Sequence, residues 1–376
     1  MKYEKEDVFD LAYLLSCAIK EVDPDYSKEF NYQNILELAT KHQVYNIIIS
    51  LIKNAPDISP EYKKQFRDYN LTEISKMLVV NNEREKIYSF LDEHSIKHMP
   101  LKGLVIRDYY PTQSMRQMSD NDILFDVAYR DEIGTFMKDN GYKCVATGEN
   151  SDDYKKPPFS MFEFHKDLFF EGNDFCPKFD NLWVNATRDA DNPYLYHMGI
   201  NDIYIYSVCH MYKHFSTAGC GIRFLADNYL ILKKECENLD WNYINDFMGR
   251  YGISDFEQKT RSIAYKIFDA VELDEDELEM FEVIMNSGIF GSETVRLVNK
   301  INNIEADSLN QAKRIFITKR LFPPKKKMIA DYRILEKRPY LLPGAYVYRF
   351  FKALFNSKRI LNEVKTINKI DTDKEY

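Results

Sequence analysis

The sequence predicts an α+β protein, predominantly helical, with a small mixed β-sheet between a helical N-terminal region and a helical C-terminal region. Three observations carry this expectation. Glycine is scarce, 13 in 376 residues, while long charged stretches with apolar residues at three- and four-residue spacing are many, and that spacing is the helical period. Apolar runs of strand length, bounded by turn residues, cluster between about 96 and 190. After Asn192-Pro193 the helical period returns. The expected divisions are a helical region over 1–95, a sheet-bearing core over 96–190, a helical domain over 191–310, and a basic segment over 311–376.

In chain order, residues 7–20 read as an amphipathic helix and 31–53 as one or two more. Prolines at 56 and 60 mark a turn. A long helix follows from about Glu61 to His94, with Phe66, Leu71, Ile74, Leu78, Ile87 and Leu91 among its apolar positions. Ile96–Leu101 reads as a strand leading into Lys102-Gly103 and a short helical segment, and Ser119–Phe125 as a second strand. Residues 129–140 form a helix stopped at Asn140-Gly141. Tyr142–Thr147 is a strand, 148–158 a polar loop, and Phe159–Phe170 a strand. Helices are expected over 199–216, 221–236, 241–250, 254–271, 274–286 and 290–302.

Composition excludes several classes. The first fifteen residues mix acids with apolar residues and contain no uninterrupted apolar core, which speaks against a signal peptide or a membrane span. The six cysteines show no C-x-x-C spacing, so reduced thiols in the cytoplasm are the simplest expectation. A net charge of −8 argues against bulk nucleic-acid binding. The charge is uneven: between Gln311 and Leu361, 14 Lys and Arg face two acids, a net +12. The rest of the chain then carries −20.

The chemistry concentrates at Ser119-Asp120-Asn121-Asp122. On a strand, alternate side chains share a face, so Asp120 and Asp122 would stand side by side with Asn121 turned away. Paired carboxylates repel unless a cation lies between them, and Mg²⁺ favours such oxygen ligands. An isolated Asp-x-Asp is more often a solvated turn; an apolar strand running on from it and the upstream Lys102, Gly103 and Arg116 shift the balance. On the later strand Glu163, His165 and Asp167 share a face, commonly a solvated one. His210 and His214 are spaced four apart on one helix, but no third ligand stands at a motif spacing, so zinc is not expected.

The order of these pieces resembles a known family. An apolar strand, LKG, a short helix, Arg116 and S-D-x-D-I-L are similar to the nucleotidyltransferase superfamily of polymerase-β type, and more closely to the bacterial uncharacterised nucleotidyltransferases. Glu163-Phe164-His165, His210 and His214, Ile222-Arg223-Phe224 with Asp227, and Lys337-Arg338-Pro339-Tyr340-Leu341-Leu342-Pro343 extend the resemblance over most of the chain. It implies a nucleotidyltransferase core at 96–190 and a metal-dependent transfer of a nucleoside monophosphate from an NTP, ATP being the commonest donor. Asp120, Asp122 and Glu163 would be the catalytic, metal-holding acids for Mg²⁺ or Mn²⁺, with Asp167 as the alternative third acid. Lys102, Gly103, Arg116, Ser119, His165 and His214 would contact substrate or phosphate. Two departures stand out: Gly103-Leu104 replaces the usual Gly-Ser, and the third acid is Glu rather than Asp.

The acceptor is not named by the sequence; a small molecule, a protein side chain, a sugar and a tRNA end all stay open. Two other readings compete. One is an inactive homologue that binds nucleotide or a partner. The other is a membrane-surface or RNA-binding protein using the basic, aromatic stretches 323–328 and 340–355, although packing of those aromatics on the acidic body is preferred. The cleft is expected between the sheet and the C-terminal helices. Exchanging Asp120 or Asp122 for Asn is expected to leave stability equal or higher.

Overall fold

The computed structural model describes residues 4–355, except 57, 149, 170–174, 181, 290, 292–295, 298–300, 302, 303, 326, 327, 330, 331 and 333. Much of the helix expected over 290–302, and the basic stretch past 355, lie outside the described residues. The chain divides into two compact units: Met1–Lys213 with Cys220–Ile289, and His214–Gly219 with Phe290–Tyr376.

The first unit opens with α1 (Lys5–Ile19), α2 (Tyr32–Lys41), α3 (Tyr45–Ile52) and α4 (Pro60–Glu93). The stretch 31–53 is two helices, because Gln43 takes φ of 52° and breaks the path. The start of α4 is set by Ser59, whose side chain accepts from Tyr62 N, and by Pro60 in the first turn, where a missing N–H leaves nothing unsatisfied. Of the apolar positions expected to pack along α4, Phe66, Ile87 and Leu91 are buried, but Leu71 and Leu78 are 54% and 61% exposed. At 34 residues the helix is about 50 Å long, and its buried side chains fall near its two ends.

The sheet follows: β1 (His98–Pro100), α5 (Gly103–Ile106), β2 (Asn121–Phe125), α6 (Arg130–Asp139), β3 (Lys143–Thr147), β4 (Ser151–Lys156) and β5 (Ser160–His165). Its order is β1-β2-β5-β4-β3, with β2 parallel to β5 and the other pairs antiparallel. It is therefore mixed, as the sequence predicts. Ile123, Phe125, Phe162 and Phe164 face a core shared with Ile87 and Leu91 of α4 and with Ile133 and Met137 of α6.

The loop expected over 148–158 contains strand β4, and this is a correction. Ser-Asp-Asp-Tyr-Lys-Lys carries too little apolar character to read as a strand, yet β4 lies inside the sheet. What permits it is pairing of its buried acid. Asp152 accepts from Arg130 Nε at 2.6 Å and from Lys166 Nζ at 3.0 Å, and buried charges persist when so satisfied.

Beyond the sheet come α7 (Leu182–Asn185), the two-stranded β6 (Thr187–Arg188) and β7 (Tyr196–His197), α8 (Ile200–Thr217), α9 (Ile222–Glu235), α10 (Trp241–Arg250), α11 (Ser254–Phe268) and α12 (Glu275–Ser287). Asp240 caps α10, and Asp274 with Glu277 forms a capping box on α12, each satisfying otherwise orphaned N–H groups. In the second unit α13 (Leu309–Leu321), capped by Ser308, precedes α14 (Ile334–Lys337) and α15 (Leu342–Phe355). There Tyr346 donates to Pro323 O, and Tyr348 lies edge-on to Tyr332.

Glu83 ties α4 to the sheet. Burial pushes its carboxyl up, but hydrogen bonds from Lys156, Lys86 and Tyr142 outweigh burial and hold it at about 2. A depressed carboxyl stabilises above its unfolded value and loses that contribution as pH falls through the folded one. Glu83→Gln should therefore cost about 1–2 kcal/mol at neutral pH, the half-exposed lysines screening part of the gain. In urea melts from pH 7 to 2, the gap to wild type should close below pH 4.5. A constant gap would mean that the contribution is packing rather than charge.

Candidate active site

Parallel pairing of β2 with β5 sets Asp122 opposite Glu163 and Leu124 opposite His165. Because Ile123, Phe162 and Phe164 turn into the core, Asp122, Glu163 and His165 stand together on the other face. Asn121 turns away, donating to Met161 O at 3.2 Å and accepting from Arg84.

Asp122 is 2% exposed. Its Oδ1 accepts from Lys102 Nζ at 2.5 Å and from His165 Nε2 at 2.7 Å. The same His165 nitrogen is 3.6 Å from Glu163 Oε2, so the imidazole bridges the two carboxylates. Asn150 approaches the other ring nitrogen at 3.4 Å. Burial raises the Asp122 carboxyl, yet the Lys102 and His165 charges win and hold it well below the usual range. Asp120 goes the other way. Burial and the neighbouring Asp122 and Glu163 charges push it up to about 6, with Lys102 and Arg223 opposing. The two aspartates of one motif thus sit in opposite electrostatic states.

Lys102 reaches Asp122 from a strained turn. Its φ is 48°, uncommon for a residue with a side chain and of a kind that recurs at functional sites. Leu101 N donates to Asp122 O at 2.9 Å and fixes this turn against β2. The expected helix after Gly103 is four residues long before it tightens to a 3₁₀ turn at Arg107–Tyr109, too short to act as a dipole for anions. A Cβ on Gly103 would stand 2.5 Å from Arg116 Nη1 and 3.0 Å from Met118 Sδ. Its lack of a side chain makes room for Arg116, where the sequence reading had made room for phosphate.

Arg116 is held by Asp227 through two bonds, Nε–Oδ1 at 2.9 Å and Nη2–Oδ2 at 2.7 Å. Tyr110 donates its hydroxyl to the same carboxylate at 2.8 Å. Both partners are buried, so the Arg116 charge is balanced within the protein before any ligand arrives. Ser119 is exposed, and its hydroxyl is 3.5 Å from Asp120 Oδ1. Asp167 is exposed and accepts from Leu168 N; it does not join the carboxylate group. His210 lies against Tyr206 and Phe224. His214 belongs to the second unit.

Three side chains that the sequence reading left without a role belong here. On α8, Tyr206 is buried, and its hydroxyl has no hydrogen-bond partner among the described residues; the charges of Lys102, Asp122 and Glu163 all act on it. Lys213, seven residues on, is pulled down by burial and then by Lys102, with Glu163 and Asp122 opposing. On α9, Arg223 donates from Nη1 to Gln43 Oε1 at 2.8 Å and to Gln117 O at 3.1 Å. Among the described residues no carboxylate lies within ion-pair distance of it. Burial, and then Arg116, pull its guanidinium down to about 10. The stripe 206–210–213 on α8 and the i, i+4 pair 223–227 on α9 were the available signals, but which face of each helix met the sheet was not readable.

Residues 28–269 match the family described as "Uncharacterised nucleotidyltransferase", and the chain belongs to that family. It is an enzyme of the nucleotidyl-transferring class. No curated protein matches the chain significantly. Among solved structures, the solution structure of the antibiotic-resistance factor ANT(2'')-Ia aligns at 12% identity and a TM-score of 0.34, over 50% of this chain and 98% of that one.

Enzymes of this class commonly use divalent metals. Asp122, Glu163 and His165 each offer a ligand atom, all within 4.8 Å of one another. Lys102 and His165 both engage Oδ1 of Asp122, which keeps its Oδ2 apart from those bonds. The raised Asp120 carboxyl marks unrelieved negative charge beside this group. Oxygen donors with excess negative charge suit a hard divalent cation.

Proposed function

We propose that the chain transfers a nucleoside monophosphate from an NTP, with ATP as donor, to a hydroxyl acceptor in the presence of Mg²⁺ or Mn²⁺. The observation that carries this is the group formed by Asp122, Glu163 and His165 on one sheet face, braced by Lys102, with Asp120 just before β2 feeling their charge. In the reaction the acceptor oxygen bonds to the α-phosphorus, the α–β bridging P–O bond breaks, and pyrophosphate leaves with the electron pair. Asp120, Asp122 and Glu163 would hold the metal, which when bound draws charge from the triphosphate and acidifies the acceptor hydroxyl. Glu163 would help to take the acceptor's proton. Lys102 and Arg223 offer positive charge to the leaving phosphates. Arg116 and Gly103 act by positioning the turn that carries Lys102, and Ser119 and His165 are assigned to substrate contact. The absence of C-x-x-C spacing among the six cysteines accords with reduced thiols in the cytoplasm. No helix among the described residues is long and apolar enough to cross a membrane.

The test is pyrophosphate release from labelled ATP with Mg²⁺ and a lysate supplying acceptors. Release from wild type and none from Asp120→Asn supports the reading; equal release from both overturns it. Arg223→Ala should weaken binding of a non-hydrolysable triphosphate by roughly 10- to 100-fold, the loss of one charged hydrogen-bonding group at about 1.5–3 kcal/mol. Isothermal titration reads this directly. Unchanged affinity would return Arg223 to a purely structural role.

A further inference from the structure

Buried tyrosines of this protein give their hydroxyls to carboxylates. Tyr110 donates to Asp227, Tyr142 to Glu83, Tyr204 to Glu257 and Tyr229 to Asp269. Tyr206 departs from that pattern. It is 3% exposed, and its hydroxyl has no hydrogen-bond partner among the described residues. The adjacent residue on α8 shows the contrast: the Ser207 hydroxyl donates to Asn228 Oδ1 at 2.6 Å. Nor is Tyr206 free to turn. Its ring stands edge-on to Phe169 and Phe179, with centroids 5.6 and 6.0 Å away, and His210 lies 6.2 Å off on the same helix. Edge-to-face contacts of this kind hold a ring in one orientation. Burying a hydroxyl without a partner costs stability, and a group kept in that state calls for an explanation.

Its surroundings supply one. After burial, the influences on this hydroxyl are the charges of Lys102, Asp122, Glu163 and Asp120. Tyr206 and Lys102 also line the same recess of about 20 Å³ at the start of α5, between α8 and α9. The nearest strong acceptor, Asp122 Oδ1, is already taken by Lys102 and His165. A phenol has one proton to give and no charge. It therefore adds a donor to this group without competing with a cation for the carboxylates. A neutral donor beside an ammonium suits an anion with several oxygens, and a polyphosphate chain is such an anion.

We infer that Tyr206 is a substrate-binding residue whose hydroxyl donates to an oxygen of the NTP polyphosphate chain, beside Lys102. This rests on the nucleotidyl-transfer reading above and adds a contact that reading leaves unassigned. The experiment is isothermal titration of the full chain with inorganic tripolyphosphate and Mg²⁺, paired with thermal melts. Tyr206→Phe should bind tripolyphosphate at least tenfold more weakly than wild type, the scale of losing a hydrogen bond to a charged group. It should melt no lower than wild type, because it removes an unpaired hydroxyl and keeps the ring. Ser207→Ala should do the reverse, melting lower with its affinity unchanged. Equal weakening by both variants would show a loosened helix rather than a contact and overturns the inference. So does a Tyr206→Phe chain that melts lower and binds as wild type does, the behaviour of a hydroxyl bonded to a trapped water. Tripolyphosphate that fails to bind wild type overturns it as well. Pyrophosphate release from labelled ATP judges the broader reading separately. Release by wild type, with Tyr206→Phe binding unimpaired, removes the Tyr206 contact alone. Tyr206-dependent binding with no release under any condition sinks nucleotidyl transfer and leaves Tyr206 as a polyphosphate contact.

Discussion

Asp120→Asn and Asp122→Asn should both stop transfer, yet shift stability in opposite directions. From the sequence, both variants are expected to be at least as stable as wild type, because two carboxylates on one strand face repel. The structure changes that expectation for one of them. Asp120 is raised to about 6 by burial and by the Asp122 and Glu163 charges. A carboxyl raised by about two units makes ionisation cost on the order of 2 kcal/mol of folding stability, and Asn removes that cost. For an acid with a raised folded value, the cost is full above that value and vanishes below the unfolded one. The gain from Asp120→Asn should therefore be complete above pH 7 and absent below about pH 4. Asp122 is depressed by Lys102 and His165, and its loss leaves the Lys102 ammonium without its counter-ion. Breaking a buried pair from one side costs about 3–5 kcal/mol. Transfer should fall by about a hundredfold or more in each variant, the scale of losing one charge that stabilises a transition state. Thermal melts across pH 4 to 8 check the stability half. Mg²⁺ should raise the wild-type melting temperature by mass action and do so much less in either variant. Equal destabilisation of both variants would show that Asp120 too is an ordinary ion-paired residue.

The difference between these two aspartates marks what a sequence can show. Alternation along Ser119–Phe125 and Ser160–His165 is local, so the division of Ile123, Phe162 and Phe164 from Asp122 and Glu163 was readable in each segment alone. That β2 runs beside β5, and in the register that sets Asp122 opposite Glu163, is a non-local fact with no local signal. The same holds for ion pairs. Asp152 lies 22 residues from Arg130 and 14 from Lys166, and without those partners Ser151–Lys156 reads as a polar loop. Helix limits were readable where caps were explicit, as at Ser59 and Asp274. They were less informative about packing in α4, where Leu71 and Leu78 keep the helical period but meet solvent. Gly103 was readable as a position of close approach; which atom approaches depended on Arg116, folded back onto it by Asp227.

Arg116→Ala should destabilise the protein by about 3–5 kcal/mol, although the resemblance gives Arg116 a substrate or phosphate contact. Arg116 and Asp227 are 8% and 2% exposed in their side chains, and two parallel bonds join them. Such bidentate pairs combine geometric fit with charge. Removing the guanidinium leaves Asp227 buried with only the Tyr110 hydroxyl as partner, and an uncompensated buried charge is the expensive state. The effect should pass through the turn that carries Lys102, because Arg116 Nη1 lies against Gly103. The double variant Arg116→Met with Asp227→Leu removes both charges at similar volume, a replacement that is often neutral or stabilising. It should recover most of the loss, short of about 1 kcal/mol for the Tyr110 hydroxyl left without an acceptor. Urea denaturation of wild type, single and double variants measures this, with equal slopes needed to compare them. If Arg116→Ala instead keeps full stability and only weakens the triphosphate, the guanidinium leaves Asp227 for the ligand, and Arg116 joins Arg223 as a phosphate contact.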